Sequence, residues 1–487
     1  MAQFAVSHQL ASLDIDFSRR LVKGVTELSI KPKTADLSGI RLFCDRPVVR
    51  SVTVNGLVCK FERVGPITRQ QVLDKISRTQ DDGEGELVIE FPADFSVESN
   101  NTGFKLALVR IEFYLVDPKT GLVFGESDDG RATTVHTETR MHPSVTRSWL
   151  PCVDTMHERC TWDLFYTVPA CVESAGQNLP MTVVSVGELS SLVVHPRDPM
   201  RKVFRYVMST ATPACTLGFA VGPFTSACSL DSSLLAVGES ASNAAVVVPP
   251  PPPLDEERAG TPPPRPHGSD SEKDEEGGEE EEEEEEGAVV AVAPTNTSIT
   301  VSAEMVDAVG GIYAFTYGGQ QAELENTCSF LPEALGFHSQ EFGAYPYTSY
   351  KIVFLEGLRR PVITCASLTL ASVELLHPAT VIEAAYEARR VLGLGVAQQW
   401  FGTFVAAATW ADEWLVLGLA GYTAGAFVRH NLGHNEHRFR LKRDMARLCH
   451  ADVNQRALSY AGQQRIDDAE FVGLKAPIVL HMLDRRM

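Results

Sequence analysis

His434 and His437 stand three residues apart in Gly433-His434-Asn435-Glu436-His437. That spacing could bring two imidazole nitrogens to one side of a helix and onto a metal ion. A plainer account fits better: Gly433 and Asn435 mark a helix start, and the histidines belong to its polar outer face. His136 and His142 flank a polar stretch and read as surface residues. Cys365 could act as a nucleophile only beside a base, and no basic residue lies near it in sequence, so it reads as a small buried apolar residue. Leu392-Gly393-Leu394-Gly395 contains Gly-x-Gly, but within a helical pattern and without a preceding strand, so it is no phosphate cradle.

The helical pattern itself is more informative. It runs from Thr380 to Phe401, with Thr380 and Glu383 spaced as a capping box, and holds Gly393 and Gly395 in its interior. Each glycine costs ~1 kcal/mol relative to alanine there, which points to a position whose former role is lost. Val396-Ala397-Gln398-Gln399-Trp400-Phe401-Gly402 resembles the His-Glu-x-x-His-x-Trp-x-Gly segment of the aminopeptidase N family. In that family two histidines bind zinc, and the glutamate between them is the general base. Anchored on Gln399-Trp400-Phe401-Gly402, the histidine positions fall on Leu394 and Gln398, the base on Gly395, and the third ligand on Leu417. Leucine has no donor atom, glycine has no side chain, and a neutral amide is a poor zinc ligand.

Other landmarks follow in the family's order. Arg147-Ser148-Trp149-Leu150-Pro151-Cys152-Val153-Asp154 is similar to its Arg-x-x-x-Pro-Cys-x-Asp segment. Phe219 to Phe224 resembles the strand that closes its sheet domain, and Tyr345 to Lys351 the entry to its catalytic domain. The amine-binding Gly-x-Met-Glu-Asn motif maps onto Val362 to Ala366, which places Cys365 where the glutamate belongs. Lys475 to Leu483 stands for the helix after the transition-state tyrosine, whose position falls on Gly473. The resemblance therefore implies a peptidase fold that no longer cuts, with no metal, cofactor or small-molecule substrate. An active zinc aminopeptidase is the alternative, and residues 394, 395, 398 and 417 discriminate the two.

Cys160-Thr161-Trp162 and Trp410-Ala411-Asp412-Glu413-Trp414 narrow the resemblance. They point to a non-catalytic branch of the family in which Asp412-Glu413-Trp414-Leu415 stands where active enzymes carry Trp-Leu-Asn-Glu. That branch serves as a scaffold in transcription initiation. It implies a nuclear location, other subunits of a general transcription factor as partners, and promoter DNA as a further contact. Arg389, Arg390, Arg438, Arg440, Lys442 and Arg443, with Arg359 and Arg360, are the candidate contact residues. Phosphate neutralisation by them would weaken steeply with salt; a solvated helix face accounts for them equally well.

These residues need a large frame, and 487 residues exceed what one core supports. The fold class expected is α+β and multidomain: an antiparallel β sandwich or saddle, then a thermolysin-like, mainly helical, peptidase-like domain. Leu13, Ile15 and Phe17 alternate with polar residues, and strands are expected at Val25–Ile30, Leu87–Phe91, Leu106–Tyr114, Trp162–Val168, Met181–Val186, Lys202–Met208 and Leu217–Val221. Residues 229–297 hold Pro249–Pro253 and the eight glutamates Glu279–Glu286, and are expected to be a disordered, passive insertion between domains 1–228 and 298–487. Between Asp255 and Glu286, 16 acidic residues face three basic ones, so the rest of the chain carries only −7 of the net −20. Helices are expected at Leu331–Gln340, Thr380–Phe401 and Asn435–Leu448. The apolar Ala476–Leu483 helix at the end should be followed by more of its domain. Ten cysteines without a Cys-x-x-Cys pair suggest a reducing compartment, and neither a secretion signal nor a membrane span is evident.

Overall fold

The computed structural model describes residues 3–64, 85–100, 103–126, 132–138, 145–174, 177–230, 311–408, 412–453, 455, 457, 458 and 466–487. All of these fall within one contact unit, Met1–Ala245 with Ala308–Met487. Of the insertion expected at 229–297, residues 231–297 lie outside the described residues, as do His142 and Trp410. Ser229 and Leu230 instead close the strand Phe224–Leu230, in which Leu230 pairs with Ile312.

Alternation of apolar and polar residues builds the first sheet. Along Ala107–Val116, Val109, Ile111, Phe113 and Leu115 turn inward while Leu108 and Val116 stay exposed, the pattern of a sheet with one buried face. Among the described residues this sheet has eight strands. In spatial order they are Glu188–Val194, Arg201–Thr212, Cys160–Pro169, Phe4–Asp16, Leu21–Pro32, Ala107–Val116, Val48–Val54 and Leu57–Val58. Gly24 is required where Leu21–Pro32 crosses Phe113, because a Cβ there would lie 2.2 Å from the phenyl ring. The sheet is not wholly antiparallel as expected: Phe4–Asp16 pairs in parallel with Cys160–Pro169, since the strands between them complete other parts of the sheet first.

A four-stranded sheet packs Leu122–Glu126, Ala132–Thr137, Phe219–Gly222 and Thr182–Ser185 side by side. Here the reading of His136 as a surface residue is corrected. It sits on an inner strand, paired with Val123 and Ala220, and is buried. A third sheet orders Phe224–Leu230, Ile312–Tyr317, Tyr350–Leu355, Leu368–Ser372 and Val362–Cys365. Tyr350–Leu355 is buried at every residue, as a parallel strand covered on both faces must be.

Five α-helices are described: α1 (Gln321–Cys328), α2 (Leu331–Phe342), α3 (Glu383–Ala397), α4 (Glu413–Ala451) and α5 (Ile466–Asp484). Helix α3 is shorter than expected, and the capping box of Thr380 and Glu383 does not form. Val381 donates its N–H to Pro378 in a turn, so Thr380 stands outside the first helical turn. At the other end Gln399 and Trp400 donate to carbonyls three residues back, winding the chain tighter after Ala397. Gly433, at φ 86° and ψ 171°, divides α4, and the expected helix Asn435–Leu448 is its second half.

Candidate functional site

Helix α3 is amphipathic, with Leu392, Gly393, Gly395, Val396 and Ala397 on its buried side. That side packs against Val362–Cys365, the edge strand of the third sheet, and against its neighbour Leu368–Ser372. At Gly395 the fit is close. A Cβ there would stand 3.2 Å from Val362 Cγ1, 3.4 Å from Thr369 Cγ2 and 3.6 Å from Thr364 Oγ1. Any side chain there would meet Val362, Thr364 and Thr369 of the sheet from its first carbon onward.

The polar groups around this point are used internally. Gln398 Oε1 accepts a hydrogen bond from Thr364 Oγ1 at 2.7 Å. Gln399, fully buried, accepts from the Ser367 N–H at 2.9 Å and the Tyr345 hydroxyl at 3.3 Å, and donates to the Cys365 carbonyl at 3.1 Å. Trp400 donates its indole N–H to the Gly343 carbonyl at 3.2 Å. Tyr347 bonds Thr403 at 3.0 Å, and Thr403 donates to the Gln399 carbonyl at 2.8 Å. His338 is enclosed by Phe337, Phe342, Trp400 and Phe427, with no partner for either ring nitrogen among the described residues. Burial lowers its pKa to about 4. The same cause lowers His136 to about 4.

The structure brings Gly395 and Gln398 together with the strand Val362–Cys365. It separates the other expected positions. Cys365 is fully buried with its Sγ against Gly218, on the opposite side of the strand from Thr364, and burial of this kind suits the apolar role expected of it. Leu417 packs with Trp414 against Val472 and Ala476 of α5. Gly473 is exposed, with nothing near its Cβ position among the described residues. Leu394 is half-buried on α3.

One residue escaped the sequence reading. Glu413, one helical turn before Leu417, is a buried carboxyl in the first turn of α4. Burial raises its pKa to about 7, and the charge of Arg360 opposes that rise only in part. Its place in Trp410-Ala411-Asp412-Glu413-Trp414 was the available signal.

The zinc of the peptidase family can be tested against these groups. Leu394 offers no donor, Gly395 has no side chain, and the Gln398 amide oxygen already holds the Thr364 hydroxyl. These residues do not fit a zinc ion. His437 faces Gly425 and lies 6.1 Å from the ring of His481; burial, then His481, depress its pKa.

The candidate contact residues divide into two groups. Glu387 of α3 receives Arg390 at 2.6 Å, Arg443 at 3.3 Å and Arg440, which also bonds Glu436 at 2.6 Å. Burial alone would raise the Glu387 pKa, but Arg390 and Arg440 outweigh it and hold the carboxyl at about 2. Arg389 lies over the Tyr386 ring at 5.9 Å, and Arg359 pairs with Glu138 at 3.3 Å. Arg438 and Lys442 are exposed and make no ion pair among the described residues. A structural role likewise falls to Arg147, which bonds the buried Asp154 at 2.9 Å and covers the Phe43 ring at 4.1 Å.

No family model matches the chain. In sequence it is 25% identical to transcription initiation factor TFIID subunit 2 of Schizosaccharomyces pombe, across 99% of this chain and 40% of that protein. It is 27% identical to the subunit of the same name from Drosophila melanogaster, across 91% of this chain and 31% of that one. The chain thus spans well under half the length of these relatives. Its structure superposes on an M1 zinc metallopeptidase from Deinococcus radiodurans with a TM-score of 0.61 at 17% identity, covering 99% of this chain and 82% of the other. In sequence the chain is similar to transcription initiation factor TFIID subunit 2, and it carries that similarity on the aminopeptidase-like fold of the M1 zinc peptidases.

Proposed function

We propose that the chain is a non-catalytic scaffold part of TFIID that supports assembly of the RNA polymerase II initiation complex in the nucleus. The observation that carries this reading is the packing at Gly395. The position read as that of the general base is a glycine whose Cβ site borders Val362, Thr364 and Thr369, which supports a scaffold role on a peptidase-like fold. Leu394, Gln398, Leu417, Cys365 and Gly473 then stand at positions relieved of catalysis. The partners are other TFIID subunits, with core-promoter DNA as a further contact. The sheet part to 228 and the peptidase-like part from 298 act as two domains of one scaffold. No described helix is long and apolar enough to cross a membrane. A kept fold without its chemistry still offers broad rigid faces, and specific interfaces bury about 1,200–2,000 Å².

The test is tagged expression in nuclear extract. TATA-binding-protein-associated subunits should copurify, and their absence would sink the assignment. Purified protein should hold no stoichiometric zinc and should not hydrolyse aminoacyl-arylamides. Zinc near one per chain with turnover at ordinary enzyme rates would establish the active peptidase instead.

A further inference from the structure

The second half of α4, from His434 to Ala451, presents an uneven outer face. Its exposed cations are Arg438, Lys442, Arg443 and Arg447, and none of its exposed residues is acidic. Among them Phe439 is 60% exposed and Met445 44% exposed. Helical geometry sets Phe439 and Ala446 seven residues apart on one stripe, with Lys442 and Cys449 alongside. Ala446 and Cys449 are short, so a second helix could approach between the larger side chains.

We propose that this ridge docks an acidic amphipathic helix of a partner protein. The partner's apolar side chains would pack on Phe439 and Met445, and its carboxylates would meet Arg438 and Lys442. Charge complementarity sets the sign of the partner, because Arg438 and Lys442 make no ion pair among the described residues, whereas the part-exposed carboxylates of this stretch, Glu436 and Asp444, are paired with Arg440 and Arg447. The exposed phenyl and thioether set its class. A phosphate backbone is held by guanidinium, ammonium and backbone N–H groups, and it gives an exposed phenylalanine nothing to pack against. Aromatic side chains, methionine and arginine are the residues enriched at protein interfaces. Two of the four cations are also engaged within the chain, Arg443 with Glu387 and Arg447 with Asp444 at 3.5 Å. A track for phosphates would want them free.

Fluorescence anisotropy on the full chain tests this, with a labelled helical peptide of about 20 residues, or ~30 Å. The peptide carries leucines on one face and glutamates beside them. Controls are a scrambled peptide, the same peptide with glutamine for glutamate, and a labelled DNA duplex. The amphipathic acidic peptide should bind more tightly than both peptide controls. Phe439→Ala with Met445→Ala should weaken it about tenfold, the scale of a hot-spot truncation. Arg438→Glu with Lys442→Glu should weaken it and remove its salt dependence, and melting curves should show every variant folded. Three results would overturn the proposal: no preference over the scrambled peptide, an unchanged affinity in the folded apolar double variant, or DNA bound more tightly at this face with Phe439 and Met445 irrelevant.

Discussion

The inner side of α3 and the outer side of α4's second half are both helix faces, yet they keep their polar groups in opposite states. Around Gly395, Gln398 and Gln399 the amides and hydroxyls bond one another, and the space is closed by Val362, Thr364 and Thr369. Between residues 434 and 451, Arg438 and Lys442 stand exposed beside Phe439 and Met445. A satisfied, filled interface contributes rigidity and has no capacity left for a ligand. An exposed face with cations and apolar groups contributes little to stability and keeps its capacity for a partner. On this molecule the polar groups around Gly395 serve the framework, and the binding chemistry proposed above lies at the periphery.

Gly395→Glu should produce the largest effect. It adds a carboxylate to a buried point where even a Cβ is crowded, and overpacking alone costs ~1–3 kcal/mol before any charge is buried. Urea unfolding should show a loss of that size or more, with no gain of zinc. A variant as stable as the parent would mean that the α3 face is open after all, and the contrast with α4 would collapse.

Gln399→Leu comes next. It leaves the Cys365 carbonyl, the Ser367 N–H and the Tyr345 hydroxyl without their partner, and each unsatisfied buried group costs about 1–3 kcal/mol. A clearly resolved midpoint shift, of the same order as that of Gly395→Glu, is expected in the same unfolding experiment. No shift would show that the amide network is dispensable.

Acid should expose the buried histidines. His136 and His338 have folded pKa values of about 4, below the ordinary 6.5, so the unfolded chain binds more protons in that interval. Stability is therefore full above pH 6.5 and falls as pH drops toward 4. Glu413 acts in reverse: its folded pKa of about 7 lies above the ordinary 4.5, so its contribution is full below pH 4.5 and is lost as pH rises through 7. His338→Phe should flatten the acid side of the stability profile, and Glu413→Gln the neutral side. Unchanged profiles in both would show that these groups titrate as they do in water.

Glu387→Gln should have the smallest effect on stability, under about 1 kcal/mol, because the cluster is partly exposed. It would, however, release Arg390 and Arg443 and raise salt-sensitive binding to a polyanion such as heparin. An equal heparin affinity would show that the internal ion pairs do not restrain these arginines.

Much of this was legible from residues alone. Alternation marked the strands from Leu13 to Val221, and the order of landmarks from Arg147 to Leu483 pointed to the aminopeptidase-like fold later met in the structure. These signals are local or follow chain order, and side-chain periodicity records which face is buried. That Leu394 has no donor atom and Gly395 no side chain is equally plain, since side-chain chemistry is visible in one dimension.

Only the tertiary structure decided which neighbours these residues meet. His136 looks like a surface histidine in its polar stretch, but strands distant in sequence flank it on both sides, so burial overrides local composition. Thr380 has the right spacing to cap α3, yet the turn at Pro378 holds it outside the helix. Arg390, Arg440 and Arg443 look like free cations until α3 and α4 bring them to a single carboxylate. Counting residues placed the third ligand position on Leu417, whereas packing left Glu413 as the buried carboxyl of that turn. Residue type and spacing determine what a side chain is able to do. Burial, long-range pairing and the dielectric around each group depend on contacts between distant segments, and those decide which of these abilities the folded chain retains.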